Sequence, residues 1–295
     1  MYYFLALLSG VLLTVMLAVN GGLAVQYGLH WATAFIHVTG LGFSGIWVLA
    51  KRERPFASLY PWFWYLSGAI GVFITVCKNF AFGRISVSAI LALALLGQII
   101  TGLVVDHWGL WGMPRRPISR GNLAGLALIL CGIVPLLTDF EAAAVAASFA
   151  AGGGTVAART FSARLAGVAG VQVSTFFNYL IGLSLALPVF FIFGGGETPL
   201  GGITFSSEWY IYIGGLLGVG LIATSNIIVP KMAAFYLTLL LFIGQVFAGI
   251  IIDAVLDGAF SIRIFLGGIL VAAGLGANFL LDRRKRKRDE PLTNG

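Results

Sequence analysis

The chain has 295 residues, of which 59% are hydrophobic and only 10% charged, with 40 glycines and 23 phenylalanines. A soluble particle of this size needs far more charge to cover its surface, so the composition excludes a water-soluble domain and indicates an integral membrane protein. The formal net charge of +7 and just two cysteines, Cys77 and Cys131 in apolar runs, leave no sign of a secreted disulfide scaffold.

A membrane-spanning helix needs about 20 mostly apolar residues. Ten such runs follow one another, near 2–27, 31–50, 62–83, 86–106, 120–138, 142–164, 168–193, 209–229, 232–252 and 262–281. Turn or charge signals separate them, among them Gly28-Leu29-His30, Lys51 to Pro55, Gly83-Arg84, Met113 to Pro117, Leu165-Ala166-Gly167 and Gly194 to Pro199. Continuous apolar runs of this length lack the alternation of membrane strands, so the reading is all-α. The first run has no basic segment before it and no cleavage site, and is expected to stay as a helix.

With both termini placed in the cytoplasm, fifteen of the eighteen basic residues fall on that side, including Arg159, Arg164, Lys231 and the run Arg283 to Arg288. Arg84 and Arg263 fall outside, and Lys78 lies within a span. This bias supports an even number of helices. Topology and anionic headgroups then account for the net charge, and nucleic acid is not an expected partner. The tail 282–295 reads as basic, cytoplasmic and without a fold of its own.

The chain repeats itself. Residues 62–106 shifted by 147 meet 209–253 without a gap, with eleven identities that include Asn79/Asn226, Gln98/Gln245 and Asp106/Asp253. Amides and carboxylates are rare in spans, and three coinciding in one register argue for duplication. Earlier in each half, Phe35 to Gly40 lines up less securely with Phe177 to Gly182, and His37 is set against Asn178. Residues 1–138 and 139–281 are thus two five-helix units. An odd helix number makes the second unit enter the membrane from the opposite side, giving ten transmembrane helices as two inverted repeats, an arrangement typical of secondary transporters.

The runs Gly97-Gln98-Ile-Ile-Thr-Gly102-Leu-Val-Val-Asp106 and Gly244-Gln245-Val-Phe-Ala-Gly249-Ile-Ile-Ile-Asp253, with Trp62 to Gly71 and Trp209 to Gly218 opening the preceding helices, resemble the YdcZ-like family of the drug/metabolite transporter superfamily. The resemblance covers essentially the whole chain as two fused units. It implies a ten-helix transporter fold with a substrate path between the halves, lined by helices 1–4 and 6–9, with helices 5 and 10 outside. It implies no particular substrate. Small multidrug exporters of the superfamily exchange protons at a first-helix glutamate. Here the first helix offers Asn20 and no span interior holds a carboxylate, so that mechanism does not carry over.

The polar groups at depth are the candidate site. Lys78 either snorkels to the headgroups or lines the cavity and takes an anionic group, and its repeat counterpart is the neutral Ser225. Asn79 and Asn226, and Gln98 and Gln245, are duplicated amides that can bind substrate or bridge helices. Asn20, His37 and Asn178 complete the polar lining, with His37 also able to carry a coupled proton. Asp106 and Asp253 close their helices as candidate gates, Asp106 with Arg115 and Arg116 near it in sequence, or as interfacial anchors. Gly121-x-x-x-Gly125 suggests helix packing, within a monomer or a homodimer, and Gly152-Gly153-Gly154 suggests a flexible bend. No phosphate loop, metal-ligand spacing or catalytic triad occurs, so neither a cofactor nor an enzymatic step is expected. The functional expectation is a secondary active exporter of a small metabolite or drug-like solute in a bacterial inner membrane, with a proton as possible coupling ion. A flippase-like carrier of a lipid-linked substrate is the alternative. A weaker expectation is that a carboxylate or phosphate suits Lys78 better than a simple cation.

Overall fold

The computed structural model describes residues 2–112, 115, 118, 123, 126–127, 130–131, 141–193, 205–228, 234–256, 266, 269 and 273. Among these are eight long α-helices and no β-strand: α1 Tyr2–Tyr27, α2 Leu29–Ala50, α3 Leu66–Ala81, α4 Val87–Trp108, α5 Ala142–Ala169, α6 Val171–Phe193, α7 Gly214–Ile228 and α8 Ala234–Leu256. Six stretches are long and apolar enough to cross a membrane: Tyr2–Tyr27, Leu29–Ala50, Trp62–Ala81, Val87–Val105, Val171–Ile192 and Trp209–Ile228. α5, with Arg159 and Arg164, is the most polar of the eight. Of the predicted fifth and tenth runs only residues 123, 126–127, 130–131, 266, 269 and 273 are described, all of them helical; Gly121, Gly125 and the tail 282–295 lie outside the described residues.

The helix boundaries have local causes. Gly28 at φ 94° is the single residue between α1 and α2, so α2 begins two residues before the predicted boundary. Gly170 at φ 89° is likewise the single residue between α5 and α6. The break predicted at Leu165-Ala166-Gly167 is therefore displaced. An isolated glycine such as Gly167 does not stop a helix, whereas the left-handed conformation at Gly170 does. Ser86 caps α4 by accepting from the Ala89 N–H at 3.2 Å, and Gly109 ends it in the left-handed region. The stretches Trp62–Tyr65 and Trp209–Ile213 are 3₁₀ turns leading into α3 and α7.

One set of contacts occurs twice. At the crossing of α4 and α5, a Cβ on Gly97 would strike the Phe149 carbonyl and one on Gly152 the Ala94 carbonyl. At the crossing of α1 and α8, a Cβ on Gly244 would strike the Leu7 carbonyl and one on Gly10 the Leu241 carbonyl. The first two helices of each half correspond at a spacing of 142 and the next two at 147. The elbows obey the same rule. The Gly28 N–H donates to the Ala24 carbonyl and the Gly170 N–H to the Ala166 carbonyl, at 2.9 and 3.0 Å. In this register His37 corresponds to Tyr179, not Asn178. His37 lies against Gly182, and Tyr179 lies against Gly40. Gly152, Gly153 and Gly154 do not bend the chain as expected. They continue α5 and permit backbone contact with α4 and side-chain contact with α3.

The bundle has two ends. The Arg84 end carries the Gly28 elbow and the turn after α3, where Arg84 meets Glu141 at 3.5 Å, both about two-fifths exposed. The Lys51 end carries the Gly170 elbow and the start of α3, where Trp64 and Tyr65 pack near Leu165 and Ala169 of α5. α3 and α5 therefore run antiparallel. A large apolar cluster lies between, built on Ile90, Leu91, Leu95, Leu17, Phe242 and Val246. Phe4, Ile46, Leu49, Phe191 and Val255 point outward, a surface that suits lipid.

Candidate substrate site

The polar interior is distributed unequally. Where α3, α4 and α5 meet, Arg159 Nη1 donates to Gln98 Oε1 at 3.1 Å, and Gln98 Nε2 reaches the Ala94 carbonyl at 3.4 Å. Lys78 of α3 is near enough to Arg159 for the two cations to repel each other. Both side chains are half-buried, and no carboxylate pairs with either among the described residues. The sequence reading placed Arg159 on the cytoplasmic surface because it ended the helix at 164. With the helix running to Ala169, the residue sits a turn and a half deeper, against an amide in the middle of α4. Its depth was legible only from the true helix end at Gly170.

At the corresponding crossing of α1, α7 and α8 the counterparts of Lys78, Arg159 and Gln98 are Ser225, Leu17 and Gln245. Leu17 is fully enclosed by the apolar cluster. Gln245 is buried, and its main-chain carbonyl accepts from Thr14 Oγ1 at 3.1 Å. The scaffold is common to both crossings and the charge belongs to one.

Asn20, His37, Asn79, Asn178, Asn226 and Gln245 are all buried but do not converge on Lys78. Asn20 Oδ1 occupies the space that a Cβ on Gly214 would need, and it has no hydrogen-bond partner among the described residues. Asn79 and Asn226 each keep a buried Nδ2 without such a partner, and Asn226 Oδ1 lies 3.5 Å from Ser162 Oγ. Buried amides left in this way are uncommon and mark places where a water or solute group gains a bond. His37 Nδ1–H donates to the Thr33 carbonyl at 2.8 Å, which satisfies one ring nitrogen. Its ring meets Tyr179 edge-on at 6.0 Å. The Asn178 main chain packs beside Gly68. Asp106 and Asp253 lie in helical backbone, but their side chains are outside the described residues. Arg115, one of the proposed gate partners, donates from Nε to the Trp108 carbonyl at 3.2 Å.

Aromatic clusters close both ends. At the Arg84 end Phe35 meets Tyr212 edge-on at 5.5 Å, and at the Lys51 end Phe177 meets Tyr65 edge-on at 4.8 Å. These are the same pair by the 142 and 147 spacings, and each joins the two halves of the chain. Each tyrosine oxygen also accepts a backbone N–H from the approaching loop: Ser206 to Tyr212 at 2.8 Å, Tyr60 to Tyr65 at 3.3 Å. Among the described residues the Arg84 end adds the hydroxyl of a second tyrosine to this bonding. Tyr27 bonds the Tyr212 hydroxyl and accepts from the Ser206 N–H at 3.0 Å, where the other end has Ala169. An apolar cavity of about 130 Å³ lies beside this cluster, lined by Leu23, Tyr27, Trp31, Phe35, Phe205 and Tyr212. Trp31 lines this cavity and meets Phe190 edge-on at 5.4 Å.

A multi-pass helical bundle with polar groups at depth and an aromatic closure at each end defines a membrane transporter. The chain belongs to the YdcZ family of drug/metabolite transporters, whose model is described as "Putative inner membrane exporter, YdcZ" and matches residues 1–135 and 143–280. A solved structure described only as "Crystal structure of protein" is similar over 96% of both chains, with a TM-score of 0.65 and 21% identity. That likeness shows the fold. Among curated proteins none matches. The protein is thus a multi-pass membrane protein of an exporter family.

Proposed function

We propose that the protein is a secondary active exporter of a small solute working by alternating access. Its ten spans form two inverted five-helix repeats, 1–138 and 139–281, with both termini cytoplasmic. The observation that carries this is the pair of equivalent closures, Phe35–Tyr212 at one end and Phe177–Tyr65 at the other, each joining the two halves. An edge-on aromatic pair contributes about 0.5–1.5 kcal/mol beyond its buried area. Releasing one closure while keeping the other is therefore a small step, within reach of the differential affinity of a solute. Equivalent closures make the two outward and inward forms close in energy, as alternating access requires. The polar side chains of Lys78, Gln98, Asn20, His37, Asn79, Asn178, Asn226 and Gln245 line or support the path. The reading assigns no bond-making step to the protein.

Counterflow in proteoliposomes tests it, with labelled organic anions, amino acids and quaternary cations at two pH values. Saturable exchange of one class, altered by a pH gradient, is the expected outcome. Flux that does not saturate points to a channel. Movement only of a fluorescent short-chain lipid points to a flippase.

A further inference from the structure

The arrangement of Lys78 and Arg159 goes further and names a class of solute, resting on the exporter reading above. α3 and α5 are antiparallel, and Gly154 of α5 lies against Ile70, Phe73 and Ile74 of α3. Lys78 lies four residues from Ile74 toward the Arg84 end. Arg159 lies five residues from Gly154 toward the Lys51 end. The two backbones are thus roughly 13 Å apart along the helix axes at 1.5 Å per residue. Helical side chains lean toward the N-terminus of their own helix. On antiparallel helices these two therefore lean toward one another across the gap. Gln98 holds one face of the guanidinium through its 3.1 Å bond, which leaves the remaining donors free of any described acceptor.

Two cations facing each other at membrane depth, with no carboxylate beside them among the described residues, are costly. The cost is not part of the scaffold. The other crossing has the same glycine contacts with Leu17 and Ser225 in these places. We infer that Lys78 and Arg159 together bind the oxyanion group, carboxylate or phosphate, of a small organic solute, with Gln98 orienting the guanidinium. A guanidinium presents a fork of donors to an oxyanion and an ammonium a single mobile one, so the pair closes on the group from both sides. The transported solute is then an organic anion.

The test uses the full chain in detergent and in proteoliposomes, with succinate, benzoate and glycerol phosphate as anionic probes and tetraethylammonium as the cationic one. The variants are Lys78→Ser and Arg159→Leu, the residues that the second crossing already accommodates, and Arg159→Lys to keep the charge. Thermal unfolding of the purified proteins reads binding without transport. At least one anion is expected to raise the melting temperature of the native protein and to exchange in counterflow. The affinity read from the melting temperature and the exchange rate should both fall about tenfold or more in Lys78→Ser and Arg159→Leu, the worth of one or two charge-assisted bonds, and survive in part in Arg159→Lys. Melting curves without probe that match the native protein show the variants fold. Saturable exchange of tetraethylammonium, unchanged in the variants, overturns the inference and leaves the exporter reading standing. Anion binding that depends on both residues without any exchange upholds the inference and overturns the exporter reading. Response only to vesicles rich in phosphatidylglycerol assigns the site to a lipid headgroup and overturns the solute. Equal anion responses in native protein and variants also overturn it.

Discussion

The crossing of α4 with α5 and the crossing of α1 with α8 are built from the same backbone contacts and filled with different chemistry. Gly97 and Gly152 let one pair of helices touch, and Gly244 and Gly10 let the other do so. Around the first stand Lys78, Arg159 and Gln98. Around the second stand Ser225, Leu17 and Gln245. The glycines are what the bundle needs to close, since they recur. The charges are not needed for closure, since the second crossing packs with a buried leucine and a hydroxyl. Packing sets the shape twice, and recognition is added once.

The largest effect that would sharpen this contrast is on transport. Lys78→Ser or Arg159→Leu should cost about tenfold or more in exchange of an anion, while Ser225→Ala and Leu17→Met stay within about twofold, as volume-conserving changes usually do. Equal losses at both crossings in proteoliposome rates would erase the distinction. Next come the shared contacts. Gly152→Val and Gly10→Val each push a side chain into a neighbouring carbonyl, and each should destabilise by about 1–3 kcal/mol or more. Thermal unfolding checks this, and a lasting difference between the two would break the equivalence of the crossings.

A smaller effect concerns the ends. Tyr27→Phe removes hydroxyl bonding found only at the Arg84 end, worth about 1 kcal/mol. A cysteine at Trp31 should then react with a polar maleimide several-fold faster, on the scale that about 1 kcal/mol sets, while one at Val173, its counterpart at the Lys51 end, keeps its rate. The smallest is Arg84→Gln, which breaks an exposed ion pair worth about 0–1 kcal/mol. Its melting temperature and exchange rate should scarcely move.

The sequence made the second part of each half easy to match. Asn79, Gln98 and Asp106 are conspicuous in a membrane span, and they fix the spacing of 147. The first part of each half offered Phe35/Phe177 and Gly40/Gly182, with Gly10/Gly152 and Gly28/Gly170, which carry a much weaker signal among forty glycines. Their equivalence emerges from what each glycine touches. Arg159 was hidden for a related reason. A glycine in a helix and a glycine that ends one look alike in sequence, and choosing Gly167 over Gly170 moved the arginine to the surface. The aromatic closures were invisible because Phe35 and Tyr212 are 177 residues apart in the chain and look like any other apolar positions.

The Gly28 elbow has a consequence for how the protein is made. With one residue between α1 and α2, residues 2–50 form a hairpin with almost no polar loop at its tip. A helix pair joined in this way has no charged loop between its two helices to carry across a bilayer. Gly170 joins α5 to α6 in the same way, with its elbow at the opposite end of the bundle. That second pair carries Arg159 and Arg164 in α5, so placing it in a bilayer costs more than placing the first.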